Sequence, residues 1–177
     1  IAGICLLTPS TANADVVVFD QPANTTAGQY KSAWYAPDGL NSDEYVWDDF
    51  TLAANTAITQ IRWRGVYANQ GFGFGTAPVT NFTVDIYRSI AAGSQPDMGT
   101  GGRLAHYTLN SNAGEAVVGT MGNLNVYSYN FTLPAPFQAV AGTKYWVQIE
   151  AWQGIVPPTY WPPDWSLQRG SGGNNNH

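Results

Sequence analysis

Four carboxylates in a short stretch form the densest group of side chains that could bind a ligand. They are Asp43, Glu44, Asp48 and Asp49. Ca²⁺ prefers carboxylate and carbonyl oxygens, which such a segment and a neighbouring loop can supply. The spacing is not that of an EF-hand loop, and on a strand Asp48 and Asp49 would point to opposite faces. We expect either a calcium site that uses part of this group or a structural role in which Asp49 bonds Arg62, Arg64 or the backbone amides of a turn.

Two glutamates allow a second hypothesis, the hydrolysis of a glycan. Glycosidases place two carboxyl groups about 5–9 Å apart, on either side of the bond that they cleave. Glu150 shares a predicted strand face with Trp146 and Trp152, and Glu115 begins another short predicted strand. A single glutamate that faces solvent is the simpler interpretation, because nothing in the sequence shows that the two side chains face each other. The pair Glu115 and Glu150 is the enzymatic alternative.

Other kinds of chemistry find little support in the sequence. His106 is the only histidine inside the chain, the other being the last residue, His177. Two histidines so placed do not predict a zinc site, and no serine lies in a G-x-S-x-G turn of the kind that carries a nucleophile. With a net charge of −5 and seven basic residues, the chain has no cluster that would neutralise nucleic-acid phosphates.

Aromatic residues predict a binding function that needs no catalyst. The chain has seven Trp, ten Tyr and seven Phe residues, and flat rings in loops or on strand faces can stack on sugar rings. The segment 155–165 contains several of them among prolines, which limit the freedom of the backbone. The candidate ligand-binding residues are Trp152, Tyr160, Trp161 and Trp165. The competing interpretation is that the tryptophans pack in the core.

Strand-like alternation runs through most of the chain, and an apolar period of 3.6 residues lasts nowhere for two turns. In the segment Ile58–Tyr67, Ile61 and Trp63 share one face while Arg62 and Arg64 share the other. The other predicted strands cover 15–20, 43–52, 82–87, 103–109, 115–118, 124–133 and 144–152. We predict an all-β, two-sheet antiparallel β-sandwich of jelly-roll type with roughly eight to ten strands.

The connections between these strands are expected at turn-forming residues. The stretch Ala53–Thr56 is short enough for a hairpin or for an arch from one sheet to the other. The polar stretch 23–42 is predicted to be a long surface loop. The segment Pro134–Pro136 is predicted to end the strand before it, because proline has no N–H group for a strand ladder.

The first residues predict a secreted protein. Ile1–Leu7 is apolar, and residues 12–14 read Ala-Asn-Ala, the A-x-A pattern that precedes a signal-peptide cleavage site. We interpret residues 1–14 as the remnant of a signal peptide and 15–177 as a single domain; the alternative is an apolar first strand. Cleavage would remove Cys5, the only cysteine, so no disulfide is expected. No later apolar run approaches the ~20 residues that span a membrane.

Six segments occur in an order typical of one kind of domain. They are Asp48–Leu52, Ile61–Tyr67, Phe82–Tyr87, Ala139–Ile149, Pro163–Leu167 and Gly170–Gly173. This order resembles a β-sandwich domain of secreted bacterial proteins of the PEP-CTERM/exosortase-sorted kind. The resemblance implies a surface or matrix protein without an assigned activity. Such proteins continue into further strands and often a sorting tail with a membrane helix, so the last strands and any anchor are expected to lie beyond 174–177.

We therefore expect a noncatalytic extracellular or cell-surface domain that contacts polysaccharide or a surface protein. The alternative is a jelly-roll glycan hydrolase that uses Glu115 and Glu150. Calcium is the one cofactor for which the sequence offers candidate ligands. Nucleic acid is not expected as a partner, and the mature part of the chain is expected to contain no membrane-spanning segment.

Overall fold

The computed structural model describes residues 3–8, 16–24, 28–35, 43–68, 79–153 and 165–171. The regular elements in these ranges are strands, and no helix occurs among them. The strands form two sheets, which confirms the predicted all-β sandwich. Within the same ranges there is accordingly no helix of the length and apolar character needed to cross a membrane.

Twelve strands occur in the described ranges, more than alternation predicts. In chain order they are β1 (Ile4–Thr8), β2 (Val16–Asp20), β3 (Gln29–Lys31), β4 (Ala33–Tyr35), β5 (Trp47–Thr51), β6 (Thr56–Tyr67), β7 (Asn81–Arg88), β8 (Arg103–Leu109), β9 (Ala116–Met121), β10 (Leu124–Ala139), β11 (Lys144–Gln153) and β12 (Trp165–Gln168). The seven-stranded sheet has the order β2-β1-β6-β10-β9, and β12 pairs with both β3 and β6. The five-stranded sheet has the order β4-β11-β7-β8, and β5 also pairs with β11. The β4–β11 pair is parallel, which the antiparallel prediction did not include.

Aromatic rings from both sheets meet in the core. Phe82 of β7, in the five-stranded sheet, contacts Trp63, Tyr129 and Trp165 of the seven-stranded sheet, with ring centroids 5.1–5.2 Å apart. All four side chains are at most 2% exposed. Burying an apolar side chain of this size stabilises the fold by about 1.5–3 kcal/mol, and edge-to-face ring contacts add to that. The cluster also fixes which face of each strand points inward.

The connection between β5 and β6 is an arch and not a hairpin. β5 pairs with β11 in the five-stranded sheet, while β6 pairs with β1, β10 and β12 in the other sheet. After the arch, β6 buries Ile61 and Trp63 and exposes Arg62 and Arg64, as its alternation predicts. The arch is thus the point at which the chain passes from one layer to the other.

The prediction of one long surface loop over 23–42 is wrong in its described part. Gln29–Lys31 forms β3 and pairs with β12, and Ala33–Tyr35 forms β4 and pairs with β11. Between them, the hydroxyl of Ser32 is buried and bonds to the carbonyl of Ile149. Both strands are only three residues long, which is too short for alternation to reveal them.

The prediction that prolines end the strand at residue 133 is also wrong. β10 continues through Pro134 and Pro136 to Ala139. Its pairing with β6 shifts register between Thr132 and Phe137, so the prolines lie at an irregularity in the ladder. Proline is tolerated in a strand at such a place, because no N–H donor is required from it there.

The apolar N-terminal run forms an interior strand of the seven-stranded sheet. β1 lies between β2 and β6 and buries Ile4 and Leu6 in the core. This is the arrangement that the alternative interpretation, an apolar first strand, predicts. Signal-peptide cleavage before Asp15 stays a prediction. It would remove β1 and leave β2 and β6 without the strand between them.

Trp165 packs directly over the backbone of β6 at Gly65. A Cβ atom added to Gly65 would lie 2.6–2.7 Å from three atoms of the Trp165 ring, closer than real Cβ atoms approach other atoms. The indole has no room to retreat, because it is fully buried and its Nε1 donates to the Tyr129 hydroxyl at 2.9 Å. Glycine is therefore required at this position by the packing and not by its backbone angles.

We predict that Gly65→Ala lowers the free energy of unfolding by about 1–3 kcal/mol, the usual cost of overpacking a core. Gly119→Ala is the matched control, because Gly119 lies in β9 and a Cβ atom there meets no atom within 4 Å. Urea unfolding of both variants measures the difference. Equal stabilities would contradict the packing of Trp165 against Gly65.

Candidate functional site

One face of the five-stranded sheet points away from the core and carries polar and aromatic side chains. The residues of β11 that belong to the core are Tyr145, Val147, Ile149 and Ala151. The alternate residues of β11, which face outward, are Trp146, Gln148, Glu150 and Trp152. By the same alternation, the outward residues of β7 are Asn81, Thr83, Asp85 and Tyr87. We call this surface the outer face.

The register of the strands arranges these side chains in rows across the outer face. The first row consists of Trp47, Gln148, Asp85 and His106. The second row consists of Glu150, Thr83 and Thr108. The third row consists of Trp34, Trp152 and Asn81. Cβ atoms directly opposite each other in antiparallel strands are about 4.5–5.5 Å apart, so rings and hydrogen-bonding groups lie side by side.

Asp85 is a buried carboxylate in the first row and is only 6% exposed. Its Oδ1 lies 2.6 Å from Nδ1 of His106 and 3.6 Å from Nη1 of Arg103. The second ring nitrogen of His106 lies 3.4 Å from Oγ1 of Thr108. Because basic side chains surround it, the Asp85 carboxylate avoids most of the penalty of burial without a partner.

Glu150 lies diagonally opposite Asp85 on the neighbouring strand. The register pairs Glu150 with Thr83, two residues before Asp85, which corresponds to a Cα separation of about 7–8 Å between the two acids. Burial is the main cause that raises the pKa of Glu150, and the negative charges of Asp43 and Asp85 raise it further. A hydrogen bond of 3.1 Å from the Thr83 hydroxyl acts in the opposite direction. None of the ion pairs between described residues includes Glu150.

Aromatic rings occupy both ends of the outer face. At one end Trp34 and Trp152 lie with ring centroids 4.3 Å apart. At the other end Tyr45 and Trp47 meet edge to face at 5.1 Å. This second pair lines a pocket of about 470 Å³ together with Val46, Trp146 and the segment 94–96. A pocket of this size with aromatic walls and polar groups at its rim can hold a sugar ring.

Three polar atoms of the outer face are buried without a hydrogen-bond partner. They are Nε1 of Trp47, Nε1 of Trp152 and Oδ1 of Asn81. Most buried polar atoms in folded proteins have a partner, and an unsatisfied one costs about 1–3 kcal/mol. Two donors and one acceptor of a single face are therefore unsatisfied within the described part of the protein, and a ligand would reach them only after the side chains that cover them move.

Glu115, one of the two predicted catalytic residues, immediately precedes β9 of the seven-stranded sheet, and its side chain is half-buried. Its Oε2 accepts hydrogen bonds from the hydroxyls of Tyr67 at 2.6 Å and Tyr129 at 2.7 Å. Burial is the main cause that raises the pKa of both hydroxyls, so they remain protonated donors. The structure does not bring Glu115 together with Glu150, which faces outward from the five-stranded sheet. Asp85 is instead the carboxylate beside Glu150.

The four acidic residues predicted as calcium ligands do not share one site. Asp48 points inward and is 2% exposed, whereas Asp49 points outward and forms an ion pair of 3.0 Å with Lys144. The predicted pairing of Asp49 with Arg62 or Arg64 is wrong, because both arginines belong to the other sheet. The remaining two are Asp43, whose charge acts on Glu150, and the exposed Glu44. No group of three metal-binding side chains occurs among the described residues.

The predicted aromatic binding residues are found in different places. Trp152 lies on the outer face, half-buried beside Trp34. Trp165 is fully buried in the core, so its ring has no free face for a sugar, as the competing interpretation predicts. Tyr160 and Trp161 lie outside the described residues, and their role as ligand-binding residues stays a prediction.

Sequence reasoning missed Asp85, Trp47 and Tyr45 as site residues. A signal for Asp85 exists in the sequence, because an acidic residue interrupts an otherwise apolar and β-branched strand at an outward position. Trp47 and Tyr45 lie within the stretch 43–49, in which only the carboxylates suggest a binding site. Their pocket depends on the segment 94–96, which is far along the chain and cannot be predicted as a neighbour from local patterns.

A comparison with protein-family models matches residues 18–169 to a domain of unknown function, DUF7901. The match covers more than half of the chain. The chain belongs to this family. Neither the comparison with curated proteins nor the comparison with solved structures finds a match. The DUF7901 match includes every residue of the outer face, while β1 lies before it.

Asp48 makes the stability of this DUF7901 domain depend on pH. Its carboxylate lies between the sheets, where Oδ1 accepts from Nε2 of Gln21 at 3.2 Å and Oδ2 has no partner. Burial raises the pKa of Asp48 from 3.8 to about 7. The folded state therefore binds this proton more tightly than the unfolded state, so the stabilising contribution is complete below about pH 4 and is lost as pH rises through 7.

We predict that the free energy of unfolding falls by on the order of 3 kcal/mol between pH 4 and pH 8, and that Asp48→Asn removes most of this decrease. Asp49→Asn, on the opposite face of the same strand, should keep it. Urea unfolding at a series of pH values measures the slope for all three proteins. The same slope in Asp48→Asn and the parent would contradict the prediction.

We also predict that Glu115 acts in folding and not in ligand binding. Glu115→Ala leaves the hydroxyls of Tyr67 and Tyr129 without their acceptor, which should lower the free energy of unfolding by about 2 kcal/mol or more. Glu44→Ala, which removes an exposed glutamate, should change it by less than about 0.5 kcal/mol. Thermal unfolding compares the two variants. A melting temperature in Glu115→Ala equal to that of the parent would overturn this role.

Proposed function

We propose that this DUF7901 domain is a noncatalytic extracellular domain that binds a glycan on the outer face of its five-stranded sheet. The single observation that carries the proposal is the combination, on one face, of paired aromatic rings with buried polar atoms that have no partner. Each part of this combination corresponds to a chemical property of a sugar.

Aromatic rings supply the apolar half of sugar recognition. One side of a pyranose ring presents C–H groups, which pack on the face of an aromatic side chain, as other apolar groups do. Tyr45 is 47% exposed and stands at right angles to Trp47 at the pocket, so two ring surfaces are offered to one ligand. Trp34 and Trp152 form a second pair of aromatic rings at the other end of the outer face.

Polar atoms without a hydrogen-bond partner supply the polar half of sugar recognition. A hydroxyl group both accepts and donates a hydrogen bond, so a sugar that displaces the side chains covering these buried atoms would satisfy the N–H groups of Trp47 and Trp152 as well as the amide oxygen of Asn81. A purely apolar ligand would leave these atoms unsatisfied and would lose their free energy. Thr83 and Gln148, between the two aromatic ends, are polar side chains that already have partners: Thr83 donates to Glu150, and Gln148 accepts from the hydroxyl of Tyr87.

The extracellular location rests on the sequence. The A-x-A pattern at 12–14 supports secretion, and the order of segments that resembles PEP-CTERM-sorted surface proteins supports a role in the cell surface or matrix. A binding domain of this kind would attach its protein to polysaccharide outside the cell. Weak affinity, from two or three stacked rings, fits such attachment, because many copies act together.

Glycan hydrolysis is the second candidate, and one observation favours it. Glu150 and Asp85 lie on neighbouring strands of the same face, close to aromatic rings. Burial keeps the pKa of Glu150 raised, as a general acid requires. We rank hydrolysis second because Asp85 is engaged by His106 and Arg103 and is nearly inaccessible. Release of reducing sugar from a polysaccharide panel that disappears in Glu150→Gln would reverse this order.

We predict that Tyr45→Ala reduces retention of the protein on insoluble polysaccharides at least several-fold, because one of the two rings at the pocket is lost. The melting temperature should stay within about 2 °C, since Tyr45 is largely exposed. Val117→Ala is the matched control: Val117 is 59% exposed on β9 of the other sheet. Retention is measured by sedimentation with cellulose, chitin and xylan.

No retention of the parent on any polysaccharide would end the glycan proposal. Retention that is equal in Tyr45→Ala and the parent would exclude this pocket as the place of binding. In that second case Trp161→Ala, in the C-terminal segment outside the described residues, tests the prediction made from the sequence.

A further inference from the structure

A groove of about 630 Å³ crosses the opposite side of the sandwich, on the outward surface of the seven-stranded sheet. Its polar side chains on β6 and β10 are Arg62, Arg64, Ser128 and Asn130. The two arginines are two of only seven basic residues in the chain. All four side chains lie within the residues matched by the DUF7901 family.

The register places hydrogen-bonding groups beside both arginines. Arg62 pairs with Asn130 and Arg64 pairs with Ser128 across the β6–β10 ladder. Residues two apart on a strand share a face at about 6.5 Å, so the two guanidinium groups point to the same side of the sheet. Gly3 and Cys5 line the groove on its β1 side and belong to the residues that signal-peptide cleavage would remove, whereas the four polar side chains lie on β6 and β10 and would remain.

The charge of the groove is unevenly distributed. Cys5 has Asp20 as its neighbour on one side and Arg62 on the other, so one carboxylate lies near Arg62. The side chain of Arg64, in contrast, forms no hydrogen bond or ion pair with any part of the chain that the structure describes. Among the described residues that line the groove, Arg62, Arg64 and Asp20 are charged and together carry one net positive charge, in a protein whose net charge is −5.

We propose that this groove is a second binding site, and that it takes a carboxylate-bearing polysaccharide, that is, a polymer with uronic acid residues. The planar guanidinium group of Arg64 matches the two oxygens of a carboxylate and binds them through a pair of parallel hydrogen bonds. The Ser128 hydroxyl and the Asn130 amide lie where they can bond the hydroxyls of the same sugar.

The groove is suited to a single carboxylate at a time. Asp20 at its side would repel a densely charged polymer such as a heavily sulfated glycan, in which several anions would enter together. A uronic acid unit brings one charge and several hydroxyls, which corresponds to one available arginine with two uncharged polar neighbours. This site does not depend on the outer face, because the two lie on different sheets.

Affinity electrophoresis of the full chain tests the proposal with matched polymers. Native gels contain either polygalacturonate or its methyl ester, which has the same backbone without the charge. We expect the parent to be retarded by polygalacturonate and much less by the ester, with the retardation decreasing as NaCl is added. Arg64→Ala should weaken the apparent affinity for polygalacturonate about tenfold or more, and Arg64→Lys should retain part of it.

Arg88→Ala is the matched control variant. It removes the same charge from a half-exposed position at the end of the other sheet, where Arg88 pairs with Asp97 at 2.8 Å, and should leave the retardation unchanged. Tyr45→Ala should also leave it unchanged, which separates this site from the one on the outer face.

Three results would overturn the proposal. The first is equal retardation of the parent in gels with polygalacturonate and with its methyl ester. The second is unchanged retardation in Arg64→Ala. The third is retardation that depends on Arg64 with polyglutamate but not with polygalacturonate, which would assign the groove to an acidic protein segment.

Discussion

The contact of Phe82 with three rings of the opposite sheet is the interaction on which the rest of the structure depends. Because Phe82 is held between Trp63, Tyr129 and Trp165, the inward face of β7 is fixed. Strand alternation then leaves no choice for Asp85, which must face outward. A shift of one residue in β7 would turn the acid into the apolar core and the phenylalanine to the outer face. The packing of the core therefore positions the candidate site on the far side of the same strand.

Asp48 and Asp85 are buried and Glu115 is half-buried, and the cost of burying each of these acids is offset differently. Asp85 has His106 and Arg103 beside it, and Glu115 accepts two tyrosine hydroxyls. Asp48 has only the Gln21 amide and a backbone N–H, and one of its oxygens has no partner. Asp85 and Glu115 strengthen contacts between elements, whereas Asp48 is tolerated in the charged form at a cost that depends on pH.

Alternation in the sequence was sufficient to predict the sandwich, because the long strands such as β6 and β11 follow it over most of their length. It failed for β3, which is too short, and for the end of β10, where tertiary pairing overrides the usual effect of proline. For the candidate site, Glu150 and Trp152 were predicted on one face, and they are there. Asp85 was not predicted as the neighbour of Glu150. The order of strands in the sheet decides which acids lie side by side, and local sequence patterns do not reveal that order.

The outer face differs from an ordinary solvent-exposed sheet face because several of its polar side chains are buried. Ordinary outward positions carry flexible charged side chains that remain in water, but here Thr83, Asp85 and Gln148 are each at most 7% exposed on the outward side. Trp146 on the same face is also buried, and its Nε1 donates to the hydroxyl of Ser89. Fixing polar groups among rigid rings costs stability when they lack partners, as for Trp47 and Trp152. It lowers the entropy that a ligand must overcome, because these side chains are already ordered before binding. This order before binding is what the proposed glycan-binding function requires of the outer face.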